Sequence, residues 1–301
     1  MCEYNKGYSK MNSGNVALTW LFLSSLCTAQ TVVGLIHTDT VTTLNQQFLA
    51  RQRNGVKKTS KAETKGIHSD VVVFAGDRVF AQFVDGGTWK TSIYLVNLEN
   101  HSTSLAVLFF NDNGTDLYVP VVGEGLVRGM VITLNTAGSM EFETTGDSPG
   151  LAQGWALMSQ TTNDSVGGMA VFRQSVPGSP VQEAVVPVVN QFQSHFVLLF
   201  DNTVFTTAIA VANPTANAVV IPVNIRNQSG QIIDQRTTAL GPYGHTAFAL
   251  PSTWPSTAGQ RGAIEFQTSG FGVGALGLRF NGSAFTSFNV LENYNWLVAP
   301  Q

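Results

Sequence analysis

The chain has 301 residues, of which only 12% are charged, and its formal net charge is −3. From residue 66 onward sixteen acidic residues outnumber eight basic ones, so this part of the chain is net negative. Binding to DNA or RNA depends on neutralising phosphates with lysine and arginine. The composition therefore argues against nucleic acid as a partner.

Residues 1–29 have the pattern of a secretory signal peptide. Lys6 and Lys10 precede an apolar run over residues 16–29, and this run ends in a small-x-small cleavage site, Cys27 to Ala29. If Met11 is the true start, both lysines are lost. The run is too short for a convincing membrane span, so the alternative, an uncleaved anchor helix, is the weaker interpretation. We predict cleavage after Ala29, export, and no integral membrane span in the mature chain.

The only cysteines, Cys2 and Cys27, lie within this predicted signal peptide. The mature protein would then have no disulfide, no thiol nucleophile and no thiolate metal site. Exported animal domains usually carry cystines, whereas large bacterial β-domains can rely on core size. This pattern favours a bacterial protein that is secreted, periplasmic or held at the cell surface.

Residues 30–69 form a polar, basic stretch. Six basic residues lie between residues 40 and 66, against the single acid Glu63. Such a run is most often a solvated and disordered tether. The alternative is contact with anionic lipid or polymer near the membrane.

One segment of the chain recurs 116 residues later. Residues 89–97 read Trp-Lys-Thr-Ser-Ile-Tyr-Leu-Val-Asn, and residues 205–213 read Phe-Thr-Thr-Ala-Ile-Ala-Val-Ala-Asn. Further along, an offset of 106 matches Gly168 with Gly274 and Arg173 with Arg279. A period this long predicts two copies of a whole domain. We place them at residues 70–187 and 188–301, the second with a short C-terminal tail.

Alternation within the recurring segment predicts a β-strand with one core face. Trp89, Ile93 and Leu95 share a face that stays apolar in both copies, whereas the opposite face changes freely, with Tyr94 against Ala210. We therefore predict that Trp89 and Phe205 occupy equivalent buried positions.

Each copy contains about seven short strands separated by turn signals, including an Asn-Gly pair at residues 113–114. No convincing amphipathic helix follows residue 66. The predicted fold is all-β, with two tandem antiparallel immunoglobulin-like β-sandwiches after an N-terminal signal helix.

Three stretches carry a family resemblance. Residues 83–97, followed by the Asn-Gly hairpin, resemble the repeat of exported bacterial immunoglobulin-like modules. Residues 154–157 and 168–187 are similar to uncharacterised secreted proteins of soil bacteria, notably acidobacteria. The resemblance covers roughly residues 70–293. It implies a sandwich fold and an exported location, and it brings no catalytic residues to carry over.

Two acidic groupings could support chemistry. Asp112 and Asp116 lie in a segment with the alternating oxygen ligands of a calcium loop, but the distal bidentate glutamate is missing, so an ordinary hairpin turn is the better interpretation. Glu141 and Glu143 share one strand face, as glycoside hydrolysis would need. Alanines replace both in the second copy, which favours a solvated outer face.

The five histidines show no metal-ligand spacing and none lies in a nucleophile motif. They are His37, His68, His101, His195 and His245. Surface or turn positions are the default for such residues, and His245 lies on the turn side of a predicted strand. We expect no catalytic histidine, no metal site and no cofactor.

A few polar and aromatic residues remain as candidates for structural or binding roles. Two matched pairs, Arg173 with Arg279 and Asp85 with Asp201, are expected to tie strand ends or loops through charge-assisted hydrogen bonds. Trp254 is the best candidate for an exposed aromatic, and Tyr243 is a second weak candidate for ligand contact.

The sequence thus favours an exported, non-enzymatic structural or adhesive protein of the cell envelope or extracellular space. Its partner would be an envelope polysaccharide or another envelope protein. A carbohydrate-binding module is the alternative, and a secreted glycoside or ester hydrolase is the weaker one. A sandwich fold alone does not decide between them.

Overall fold

The computed structural model describes residues 77–160, 164–189, 192–268 and 272–292, all of which belong to one compact unit. The predicted signal peptide and the basic linker lie outside the described residues.

Strands carry almost all of the regular structure. The first ten are β1 (Arg78–Asp85), β2 (Trp89–Asn97), β3 (Thr103–Asn111), β4 (Val119–Val121), β5 (Gly125–Val127), β6 (Gly129–Leu134), β7 (Ser139–Glu143), β8 (Ala152–Gln160), β9 (Val166–Gln174) and β10 (Gln182–Pro187). The next nine are β11 (His195–Asp201), β12 (Thr206–Ala212), β13 (Val219–Asn227), β14 (Ile232–Leu240), β15 (His245–Ala249), β16 (Arg261–Gln267), β17 (Gly274–Asn281), β18 (Ala284–Phe288) and β19 (Leu291–Glu292). One helical turn, α1 (Leu250–Thr253), and a 3-10 turn (Pro255–Thr257) follow β15.

These strands form four main antiparallel sheets. Sheet I has the order β1-β8-β3-β6, and sheet II has the order β10-β9-β2-β7. Sheet III has the order β14-β13-β16-β11-β19, and sheet IV has the order β15-β12-β17-β18. Sheets I and II form the first sandwich, and sheets III and IV form the second. The prediction of an all-β fold of antiparallel sandwiches is confirmed.

The two sandwiches have the same strand order and repeat local hydrogen bonds. Sheet I read as β1-β8-β3-β6 corresponds to sheet III read as β11-β16-β13-β14, and β10-β9-β2-β7 corresponds to β18-β17-β12-β15. The Asn97 amide donates to Gly138 O at 2.8 Å, and the Asn213 amide donates to Gly244 O at the same distance. Each asparagine side chain also donates to the carbonyl oxygen four residues later, at 2.7 Å.

The inward faces of β2 and β12 bury the residues that alternation predicts, with one exception. Trp89, Ile93 and Leu95 are buried in the first core, and Ile209 is buried in the second. Phe205, however, is only half-buried and precedes β12. The prediction that Phe205 occupies a buried core position is wrong, because the chain is still in the preceding turn and the ring lies under the Arg279 guanidinium, 4.4 Å away.

Strand register separates Arg173 from Arg279. Arg173 lies opposite Lys90 on β2, whereas Arg279 lies opposite Thr207 on β12. Thr207 corresponds to Thr91, the residue that follows Lys90. The residue of β17 that corresponds to Arg173 is therefore the one after Arg279. Because side chains alternate, a shift of one residue moves a side chain to the other face of the sheet. The predicted equivalence of the two arginines is wrong.

The outer face of sheet IV, meaning the face turned away from the second core, is buried against the first sandwich. Ala208, Ala210, Ala212 and Leu276 on this face belong to the same apolar cluster as the core of the first sandwich. A Cβ on Gly274 would lie 2.8 Å from Val79 Cγ1, which shows how closely β17 approaches β1. We call this contact between the two sandwiches the junction.

Candidate binding surfaces

The junction is fixed by polar as well as apolar contacts. Trp155 Nε1 donates to Tyr243 O at 2.8 Å, and Phe110 lies between the two rings, 4.7 Å from Trp155 and 5.6 Å from Tyr243 by ring centroid. Tyr243 has a φ of 53° in the turn before β15. Tyr243, predicted as a weak ligand contact, is thus part of the junction.

His245 and Asp112 form a pair across the junction, in which His245 is buried and the Asp112 side chain is 42% exposed. His245 Nδ1 lies 2.7 Å from Asp112 Oδ1, and Nε2 lies 3.0 Å from Ala81 O, so both ring nitrogens face oxygen acceptors. The His245 side chain has no solvent exposure. The default of a surface or turn position for His245 is wrong, since β15 presents this residue on the buried outer face of sheet IV. With both nitrogens engaged and no access to solvent, the imidazole cannot reach a substrate.

Trp254 is buried rather than exposed. Only 4% of its surface is accessible. The helical turn α1 and the following 3-10 turn fold the indole inward, where its ring centroid lies 4.8 Å from that of Phe248 and 5.9 Å from that of Phe266. The prediction of an exposed aromatic at this position is wrong, because two short Pro-flanked turns, not an open loop, carry Trp254.

The outer face of sheet II, which corresponds by strand order to the outer face of sheet IV, is open to solvent and carries an ion-paired row. Arg173 lies at its centre, with Nε 2.7 Å from Glu183 and Nη1 2.8 Å from Glu143. Lys90 Nζ lies 3.9 Å from Glu143. The hydrogen bond to Glu183 raises the pKa of Arg173, so the guanidinium stays charged. Arg173 and Glu143 thereby join three strands of sheet II, β7, β9 and β10.

Apolar side chains lie next to this charged row on the same face. Met169 and Val185 are exposed by 41% and 45%. Beside them, the hydroxyl of Tyr94 bonds the Glu141 carboxylate, and this bond raises the pKa of Tyr94. Exposed apolar side chains bordered by charges are typical of protein contact surfaces. The outer face of sheet II is therefore the main candidate for contact with a partner.

Asp85 and Asp201 each hold a loop, but their predicted equivalence is wrong. The Asp201 amide donates to Thr207 Oγ1 as the Val84 amide donates to Thr91 Oγ1, so Asp201 occupies the position of Val84. Asp85 is fully buried and accepts hydrogen bonds from the amides of Gly146 and Ser148 at 2.8 and 3.0 Å. Asp201 is partly exposed and accepts from Thr203 and from Arg261 Nε, the latter at 2.8 Å. The hydroxyl of Thr203 is the main cause that lowers the pKa of Asp201.

A shallow cleft of about 340 Å³ opens at the end of the second sandwich. Three segments line it: residues 227–229 from the end of β13 into the following turn, residues 259–261 up to the first residue of β16, and Thr203 after β11. The side chains that these segments provide are amides, hydroxyls and one guanidinium. Sequence reasoning missed this cleft, because its three segments are distant along the chain.

The hairpin at residues 111–116 is an ordinary turn, and each of its two aspartates pairs with a basic side chain. Asp112 bonds His245, and Asp116 Oδ2 lies 2.7 Å from Arg128 Nη1. In the part of the chain that the structure describes, no three His, Cys, Asp or Glu residues converge as metal ligands do. Within the same part, no helix combines the length and the apolar character needed to cross a bilayer.

Comparison with known proteins assigns no family to this chain. No protein-family model matches it, and no curated protein matches it either.

Proposed function

We propose that this chain is an exported, non-enzymatic structural or adhesive protein of the bacterial cell envelope or extracellular space, built from two copies of one sandwich repeat. The matching strand order of the two sandwiches supports the repeat. Export after cleavage at Ala29 draws on the N-terminal sequence pattern.

The observation that carries a structural role is the buried junction. Apolar residues of sheet IV belong to the same cluster as the core of the first sandwich, so separating the sandwiches would expose them to water. His245 and Trp155 add hydrogen bonds across the contact. A junction of this kind holds the two sandwiches as one stiff block, which suits a protein that connects or spaces other components.

The outer face of sheet II supports the adhesive part of the proposal. Met169 and Val185 provide apolar contact area. The ion-paired side chains of Arg173, Glu143 and Glu183 lie beside it and can form hydrogen bonds with a partner. Interfaces commonly combine an apolar centre with a polar rim. The partner is an envelope protein or polysaccharide.

The non-enzymatic part rests on how the acidic and histidine side chains are used. Arg173 pairs with Glu143 and Glu183, and Glu141 bonds Tyr94. Glu143 pairs with Lys90 and Arg173 on an open sheet face, whereas the general acid of a glycoside hydrolase lies in an enclosed site. Both ring nitrogens of His245 lie within hydrogen-bond distance of oxygen atoms inside the junction.

A deletion strain of the producing bacterium tests this proposal. Cells lacking the protein should be retained less well on a surface after washing, and the wild-type gene should restore retention. A V185D variant should not restore it, because the charge disrupts the exposed apolar area. V131D is the matched control, since Val131 is exposed by 49% but lies on β6 of sheet I.

The same strain tests location. N-terminal sequencing of the mature protein should begin at Gln30, and added protease should degrade it on intact cells. Equal retention of all strains would contradict an adhesive role, and a chain protected inside the cell would contradict export.

A further inference from the structure

Two hairpins of identical backbone geometry lie at corresponding ends of the two sandwiches. In the first, the Asn111 side-chain oxygen accepts from the amides of residues 113 and 115, and the Gly114 amide donates to Asn111 O at 3.0 Å. In the second, the Asn227 oxygen accepts from residues 229 and 231, and the Gly230 amide donates to Asn227 O at 3.0 Å. Differences in what the hairpins contact therefore come from their surroundings.

The second sandwich contacts the first hairpin at Gly114 and Asp112. A Cβ on Gly114 would lie 2.0 Å from Pro242 O, so the turn before β15 packs directly on it. Asp112 holds His245, and Phe110 at the base of the hairpin stacks on Tyr243. This end of the first sandwich is thus a contact surface that binds another part of the chain.

The second hairpin is open and forms one wall of the cleft. A Cβ on Gly230 would meet no atom within 4 Å. By strand register, Arg226 and Ala263 occupy the positions of Phe110 and Trp155, so the aromatic anchors of the junction are missing here. Arg226 bonds Glu265, with Nη2 3.0 Å from Oε2. The position of the acidic Asp112 is taken by Gln228, which lines the cleft.

The chemistry of the cleft suits a neutral, hydroxyl-rich ligand. Gln228 and Gln260 each offer both donors and acceptors, as a sugar hydroxyl does. Asp201 neutralises the Arg261 guanidinium at 2.8 Å, so the cleft holds no excess positive charge. The chain from residue 66 onward is net negative, which disfavours an anionic ligand.

We propose that this cleft binds a neutral saccharide through hydrogen bonds from Gln228, Gln260 and Arg261 to its hydroxyl groups. The cleft volume of about 340 Å³ lies at the lower end of the range for small-ligand sites, which suits one end of a sugar chain. The residues that line it include no aromatic ring, so stacking does not contribute and the affinity is low, with a Kd on the order of 1 mM. This site is independent of the outer face of sheet II and does not depend on the adhesive role.

Calorimetric titration of the full chain tests this site. Cellotriose, maltotriose and xylotriose serve as neutral probes, with trigalacturonate as the anionic comparator. At least one neutral trisaccharide should bind more tightly than trigalacturonate. The double variant Q228A/Q260A should weaken that binding at least tenfold. N113A is the matched control, because Asn113 occupies the position of Ser229 on the first hairpin, outside the cleft, and it should bind like wild type.

Three outcomes would overturn the site. They are no binding of any neutral probe, tighter binding of trigalacturonate, and unchanged binding in Q228A/Q260A. V185D should bind the saccharide normally, so failure of the adhesion experiment and failure of this one are separate results.

Discussion

The outer faces of sheets II and IV have the same strand order and opposite surroundings. On sheet II this face carries Lys90, Tyr94 and Arg173 and meets solvent. On sheet IV the corresponding strands carry Ala208, Ala210 and Ala212 and meet the first sandwich. An outer face whose residues differ between the two sandwiches is therefore not always exposed to solvent. The positions at which β2 and β12 differ most are those that are buried on sheet IV.

The largest effect is expected from a charge placed on the buried face. Ala210 is fully buried, so A210K must either bury its ammonium among apolar side chains or open the junction. We expect a loss of at least about 4 kcal/mol in the free energy of unfolding. Y94K, at the corresponding position on the outer face of sheet II, should cost about 1 kcal/mol or less. Chemical denaturation of both variants measures the difference, and equal losses would contradict the buried junction.

The inward residues at the start of β2 and before β12 should also differ. Trp89 is buried and contacts Phe285 across the junction, with ring centroids 5.2 Å apart. W89A should cost about 3–5 kcal/mol, as truncation of a buried aromatic does. F205A should cost about 1–2 kcal/mol, because its ring is only half-buried and loses mainly its contact with Arg279. A larger loss for F205A than for W89A would show that Phe205 is the core residue after all.

Substitution of the two hairpin glycines isolates the contact of the first hairpin with the second sandwich. Gly114 and Gly230 have φ angles of 80° and 82°, so alanine at either position adopts a left-handed backbone at a cost of about 1–2 kcal/mol. G114A must also displace Pro242, and we expect it to lose at least about 1 kcal/mol more than G230A. Thermal unfolding of the two variants provides the measurement. Identical melting temperatures would mean that the turn before β15 does not rest on the first hairpin.

The smallest effect concerns Asp201, which lies at an exposed end of the second sandwich. Its pKa is lowered in the folded state, so its carboxylate stabilises the fold above the ordinary aspartate pKa of about 3.9. That contribution disappears as the pH falls through the lowered value. D201N should therefore melt earlier than wild type at pH 6, and the two melting curves should converge as the solution is acidified. A constant difference at every pH would mean that the Asp201 charge does not contribute.

Strand alternation, glycine-marked turns and the repeat were sufficient to predict an all-β fold of antiparallel sandwiches and the inward face of β2. These features are local, since a period of two and an Asn-Gly turn act within a few residues. The candidate site was less accessible to sequence reasoning. Tyr243, a predicted ligand contact, belongs to the junction, and the cleft residues Gln228 and Gln260 come from loops far apart in the chain.

Which side chains or sandwich cover a given surface depends on the tertiary structure. Trp254 entered the core through two short turns, His245 met Asp112 across the junction, and Arg279 fell on the opposite face from Arg173. The alanines at 208, 210 and 212 indicate a buried face, because they are small and apolar. Only the folded chain shows that the first sandwich covers this face. The strand-forming segments and the inward face of β2 follow from the amino-acid sequence, because alternation and turn residues act between neighbours along the chain. Which outer face meets water depends on the approach of residues more than a hundred positions away, and that only the folded chain specifies.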